Sequence, residues 1–291
     1  MTIIERAIQA ARTKAAGRQA EPPESAGPES VVPLSAPKPE PKPAAAPAAG
    51  NAPVSFAKLV TSGILVTESA DRKIFEQFRR LKRPLLQCAF GPLAEAGAQI
   101  IMVTSPLQGA GKTFVASNLA HVLAMEKDRT VLLVDTDSAN PSLTRQFGLQ
   151  GQPGLFDVIT DSGITLEQAI SRTDIPGLFV LPAGRTAADS LERLNSDRCR
   201  TALAEILANH PGGIVILDAP PLLVTNEAPA VAALAGQFLL VVQAGVTPRS
   251  SISKALELLD ESKPIGLILN KATGQGELGS YYPYPAQSGS A

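Results

Sequence analysis

From Gln99 onward the chain alternates short apolar runs with polar stretches that contain Gly and Pro. Ile100-Ile101-Met102-Val103, Thr130 to Asp137 (TVLLVDTD), Phe179-Val180-Leu181, Gly213 to Asp218 (GIVILD), Gln237 to Gln243 and Ile265 to Asn270 are short and rich in branched residues. That pattern predicts strands buried on both faces. Between them, Val115, Leu119, Val122 and Leu123 recur at helical spacing, and helices are expected over Ala188 to Leu207 and Arg249 to Leu259. Five or more strands alternating with helices predict an α/β fold with a doubly wound, mainly parallel sheet.

Two helices are expected upstream. Over Asp71 to Leu86, Ile74, Phe75, Phe78 and Leu81 would pack, while Arg79, Arg80, Lys82 and Arg83 stay outside. Glu76, Arg79 and Lys82 follow at three-residue steps and form a charged ridge, either a solvated face or a subunit interface. Met1 to Arg18 forms a short helix, with Thr2 and Glu5 as a capping box and Ile4, Ile8 and Ala11 on one face. It reads equally as a fraying terminus or as a docking element for a partner or membrane surface.

Composition divides the chain. Ten of the 25 prolines fall between Arg18 and Pro53, among Ala, Glu, Lys and Ser, with almost no large apolar side chain. Such a segment buries too little to offset its ordering entropy, so a disordered linker is expected. The domains are therefore 1–17 (helix), 18–55 (linker), 56–273 (α/β domain) and 274–291 (tail). The net charge of −1 argues against nucleic acid as a partner. Cys88 and Cys199 form no metal or redox motif, which fits a reduced cytosol. No signal peptide is visible, and no apolar run approaches the roughly 20 residues of a membrane span.

The chemistry concentrates in TSPLQGAGKT, Thr104 to Thr113. A strand, a Gly-containing turn, Gly-Lys-Thr and a helix make the phosphate-binding P-loop arrangement, with Pro106 in place of the usual first Gly. Gln108, Gly109, Ala110 and Gly111 would offer backbone N–H groups to phosphates, at a helix end that carries about half a positive charge. Lys112 would reach the β- and γ-phosphates, and the Thr113 hydroxyl would ligate Mg²⁺. Asp135 and Asp137 end their strand on one side, where α/β sheets place ligands. Asp218 closes GIVILD before Ala219-Pro220-Pro221. It reads as a Walker B carboxylate on Mg²⁺ or as a strand-capping Asp. His121 and His210 look structural.

The tail from Gly274 is rich in Gly, Ser and Pro and carries Tyr281, Tyr282 and Tyr284, all three tyrosines of the chain. Aromatics on a mobile tether bury nothing. They make a sticky terminal peptide, a strand that docks back, or phosphoryl acceptors.

Together the P-loop, VLLVDTD, VILDAPP and the YYPY cluster resemble the bacterial P-loop tyrosine autokinases of exopolysaccharide and capsule export. The resemblance spans Glu68 to Tyr284. The N-terminal helix, the Pro/Ala linker and the Leu269-Asn270-Lys271 strand end resemble the exosortase-associated members. It implies ATP and Mg²⁺ as cofactors, with Lys112, Asp135 and Asp137 catalytic. One of the two carboxylates would deprotonate the incoming tyrosine, and Thr113, Asp135 and Asp218 would share Mg²⁺. Asn270 would contact adenine, as late-strand residues of the family can, or is an ordinary strand-end Asn. Tyr281, Tyr282 and Tyr284 would enter a neighbour's active site in a homo-oligomeric ring, an octamer being one size. Glu76, Arg79 and Lys82 match the ring-forming E-x-x-R-x-x-R motif, with Lys in its last place, where it cannot reproduce a bidentate Arg contact. Ala139 stands where the family often has a basic residue. An inner-membrane chain-length-determinant protein would be the activator and a phosphotyrosine phosphatase the antagonist. The protein would be cytoplasmic and peripheral to the inner membrane. Two rivals remain: a P-loop ATPase switch of the partition or cluster-assembly type, against which Leu107 stands in place of a signature Lys, and a nucleotide-binding adaptor of an export complex.

Overall fold

All six apolar runs form strands of one seven-stranded sheet, whose spatial order is Ser171–Arg172, Leu178–Leu181, Thr130–Asp135, Gly213–Asp218, Ile100–Thr104, Gln237–Gln243 and Ile265–Asn270. The structure is a computed structural model and describes residues 53–272 other than 93, 161–162, 186–188 and 211. The segment 1–17, most of the linker and the tyrosine cluster lie outside the described residues.

The described chain opens with α1 (Phe56–Thr61) and α2 (Arg72–Phe90). The first βα unit is β1 (Ile100–Thr104) with α3 (Lys112–Ala124). Next come β2 (Thr130–Asp135) and three short helices, α4 (Ser142–Gln146), α5 (Leu155–Val158) and α6 (Leu166–Ala169). Then follow β3 (Ser171–Arg172), β4 (Leu178–Leu181), α7 (Ser190–Leu194), α8 (Asp197–Asn209) and β5 (Gly213–Asp218). The last elements are α9 (Glu227–Leu234), β6 (Gln237–Gln243), α10 (Arg249–Glu257) and β7 (Ile265–Asn270). All strand pairs are parallel except β3–β4.

The sheet has a core on each face. On one side Leu59, Phe75, Phe78, Leu119 and Leu123 pack on Ile101, Val103, Leu133 and Ile216. On the other Phe156, Leu194, Leu203, Val231 and Leu259 pack on Met102, Leu132, Leu217 and Phe238. Alternate residues of β1, β2 and β5 therefore feed opposite cores, which is why these strands read as unbroken apolar runs.

The segment between α1 and α2 is held through one buried polar side chain. Asn118 of α3 accepts from the Val66 N–H at 2.8 Å and donates to the Ile64 and Phe114 carbonyls at 2.9 and 2.8 Å. His121, one turn on, packs its ring against Phe56 and Phe75. Burial pushes its pKa down. At the β3 edge Val54 bridges Thr173, and the Phe56 N–H is capped by Asp174 at 2.6 Å.

Three elements differ from the sequence expectation. α2 follows Asp71 as expected, the Asp71 carboxylate capping it by accepting from the Ile74 N–H, but runs past Leu86 to Phe90 because Ala89 extends the buried stripe. The helix expected over Ala188 to Leu207 is two. Ser196 interrupts it by capping α8, its side chain accepting from the Cys199 N–H. Lys82, expected outside, is 17% exposed and pairs with Glu126 just beyond α3. The stem of a Lys readily lies along an apolar surface to reach such a partner.

Candidate active site

The C-terminal ends of β1, β2 and β5 meet at the P-loop. Gly109 and Gly111 sit at φ +79° and +92°, a backbone region that glycine enters without steric cost. Gly111 is the N-cap of α3, so the loop delivers the first N–H groups of an apolar, buried helix to one point. Pro106 is compatible with the turn because its carbonyl, not an N–H, is engaged: it accepts from the Leu223 N–H at 3.2 Å.

The register of β2 against β5 puts Asp135 opposite Asp218. The Thr113 hydroxyl donates to Asp218 Oδ2 at 2.7 Å. Asp135 Oδ2 accepts from both the backbone and the hydroxyl of Thr144, at 2.8 and 2.7 Å, and its Oδ1 from the Asp137 N–H. Asp137 Oδ1 accepts from the Asn140 N–H at 3.0 Å. Burial pushes the Asp218 carboxyl up, and the charge of Asp135 adds to it, against the Thr113 hydrogen bond and Lys112. Burial likewise raises Asp135, opposed by Thr144. It raises Asp137 too, opposed by Asn140, Lys112 and Arg145. Three carboxylates crowded in low dielectric resist ionising together unless a cation is supplied.

Mg²⁺ fits this donor set. Asp218 Oδ1 is buried and has no hydrogen-bond partner among the described residues, so one lone-pair face of the Walker B carboxylate is free. Among the described residues no group of three or more His, Cys, Asp and Glu side chains forms a protein-only metal site. Mg²⁺ is commonly held by one or two carboxylates together with substrate phosphates.

The late strand end closes the loop from the other side. Asn270 Nδ2 donates to the Ala110 carbonyl at 2.8 Å, and Lys271 Nζ donates to the Gly109 carbonyl at 2.7 Å. The Asn270 side chain thus faces the P-loop backbone.

The surroundings of this site match known proteins. An AAA domain matches residues 98–263. Tyrosine-protein kinase YwqD of Bacillus subtilis (strain 168) is 32% identical over 185 residues, 62% of this chain and 76% of that protein. The chain belongs to the bacterial tyrosine-protein kinases. Among other members of that family, Tyrosine-protein kinase ptk of Acinetobacter johnsonii is 28% identical over 209 residues, 71% of this chain. The chain spans only 27% of that relative's length. The kinase domain of Escherichia coli tyrosine kinase ETK superposes with a TM-score of 0.61 at 27% identity, covering 72% of this chain and 80% of that one.

In this tyrosine-kinase family member the structure brings Lys112, Thr113, Asp135, Asp137, Asp218 and Asn270 to one end of the sheet. Glu76, Arg79 and Lys82 stand apart on α2, where Arg79 pairs with Glu76 at 2.9 Å. Tyr281, Tyr282 and Tyr284 lie outside the described residues. Sequence reasoning missed Thr144, Lys271 and the partners Glu126 and Glu227. Only Lys271 carried a signal, its adjacency to Asn270. No described helix is long and apolar enough to cross a membrane.

Proposed function

We propose that the chain is an ATP- and Mg²⁺-dependent protein-tyrosine autokinase that phosphorylates Tyr281, Tyr282 and Tyr284 of a neighbouring copy. The observation that carries this reading is the Thr113 hydroxyl bonded to Asp218 directly beneath the P-loop, with Asp135 across the register. The P-loop amides and Lys112 hold and neutralise the triphosphate. Thr113, Asp218 and Asp135 would hold Mg²⁺, which would supply positive charge beside the β- and γ-phosphate oxygens. Asp137, whose pKa burial has raised, takes the phenol proton. The phenol oxygen then bonds to the γ-phosphorus as the bond to the β–γ bridging oxygen breaks and ADP leaves.

Copies assemble in a ring through α2. Lys82 is largely buried against Glu126, so the intersubunit contacts fall to Glu76 and Arg79, which pair with each other but stay exposed and can exchange that partner for one on a neighbouring copy. The biological role is control of exopolysaccharide chain length or export beside an inner-membrane chain-length-determinant protein that activates the kinase. A phosphotyrosine phosphatase resets it. The test is intact-mass spectrometry after incubation with Mg-ATP. Phosphate additions on the wild type, absent from Lys112→Met and from the Tyr281/Tyr282/Tyr284→Phe triple variant, are expected. Steady ATP hydrolysis without added mass would assign a nucleotide switch instead.

A further inference from the structure

Ser138 directly follows Asp137, and its hydroxyl donates to Glu227 Oε1 at 2.5 Å. Glu227 is the first residue of α9. Its other oxygen, Oε2, is buried and has no hydrogen-bond partner among the described residues. Such an oxygen is a stability cost that folding alone does not explain.

Just before Asp137, Thr136 is tied to the end of β5, its N–H and its hydroxyl both donating to the Asp218 carbonyl at 3.0 Å. Beyond Asp137 the other bonds are local. Asn140 closes a turn back onto Asp137, and Arg145 Nη2 donates to Asn140 Oδ1 at 2.7 Å, all within the connection from β2 into α4. The Ser138–Glu227 bond leaves that turn and reaches the segment after β5. This segment is itself fixed to the P-loop strand: the Thr104 hydroxyl donates to the Pro220 carbonyl at 2.7 Å. The Leu222 and Leu223 N–H groups donate to the Ser105 and Pro106 carbonyls. The side chain of Glu227 therefore couples the turn that carries Asp137 to the loop that would carry the phosphates.

We infer that Glu227 is a positioning residue, acting through Ser138 to set the place of Asp137 relative to the P-loop. The inference rests on the reading of Asp137 as the proton acceptor. Glu227 touches neither nucleotide nor tyrosine in this account.

Steady-state tyrosine phosphorylation by the full chain tests it. Ser138→Ala and Glu227→Ala each lower kcat by roughly tenfold, as expected for a small misplacement of a reacting group. The KM for ATP stays within about twofold, because the P-loop is untouched. The double variant is no worse than either single one, since both remove the same bond. Glu227→Gln, which keeps an acceptor oxygen for Ser138, recovers most of the lost rate. Losses that multiply to roughly a hundredfold in the double variant would overturn the inference. So would an unchanged kcat, a loss confined to KM, or a Gln variant as impaired as Ala. If the wild type transfers nothing to tyrosine, the kinase reading alone has failed. The same series read in ATP hydrolysis then carries the same expectations for a turn that positions water.

Discussion

Gly111→Ala tests how tightly the P-loop and the last strand are built together. Gly111 stands at φ +92°, so any L-residue there adopts a left-handed conformation costing about 1–2 kcal/mol. A Cβ would also overlap the amide nitrogen of Asn270. That amide is the end of a flexible side chain, so it swings away and gives up its bond to the Ala110 carbonyl, a loss of about 1 kcal/mol. The expected total is roughly 2–3 kcal/mol. Gly109→Ala is the control. Its φ of +79° imposes the same backbone strain, but nothing lies within 4 Å of an added Cβ, so only the backbone part is lost. Urea unfolding of the two variants, each with and without Asn270→Ala, separates the contributions. Asn270→Ala costs about 1 kcal/mol beside Gly109→Ala and almost nothing beside Gly111→Ala, where the bond is already broken. Equal losses for the two glycine variants, or an Asn270 effect independent of background, would refute the reasoning.

Three further outcomes follow from the same structure. The folded-state pKa values of Asp135 and Asp218 lie above the ordinary carboxylate value, so the stability their protonated forms provide is complete at low pH and is lost as pH rises through the raised values. In chelator the melting temperature should fall from about pH 4, the ordinary carboxylate value, to about pH 8, and Asp218→Asn should flatten that slope; a steeper slope in the variant would contradict the assignment. Asn118→Ala removes three hydrogen bonds from a buried position and should cost roughly 2–3 kcal/mol in urea while exposing residues 62–71 to limited proteolysis. Lys82→Ala should lower the unfolding free energy by about 1 kcal/mol and Glu76→Ala by no more than a few tenths, because the Lys82–Glu126 pair is partly buried and the Glu76–Arg79 pair is exposed.

How much of this was legible in the sequence depends on the range of the forces involved. β5, β6 and β7 were readable to their ends because each is an apolar run closed by Gly, Pro or a polar side chain. The P-loop glycines and Asp218 were readable because their chemistry demands those residue types in order. The short helices α4 to α6 were not, since a single turn has no periodicity to detect. The extension of α2 beyond Leu86 needed knowledge of the surface that Ala89 covers. Thr144, Glu126 and Glu227 were invisible for a different reason. Each acts on a residue brought near by the sheet, and nothing local distinguishes Glu227 from any acidic residue at a helix start. Each ligating group stands in a short motif that is recognisable on its own; Glu126 and Glu227 stand in none and are recognised only from their partners in the fold.

The central claim, transfer of a γ-phosphate to the tyrosine cluster of another copy, has a direct test. The Lys112→Met chain keeps its tail but lacks the phosphate-binding lysine. It is mixed with a chain bearing the Tyr281/Tyr282/Tyr284→Phe substitutions, which keeps its catalytic groups but has no acceptor. Intact masses recorded after addition of Mg-ATP should show phosphate on the Lys112→Met chain, and only when both chains are present. Phosphate on neither chain, while the second one hydrolyses ATP, would contradict the account.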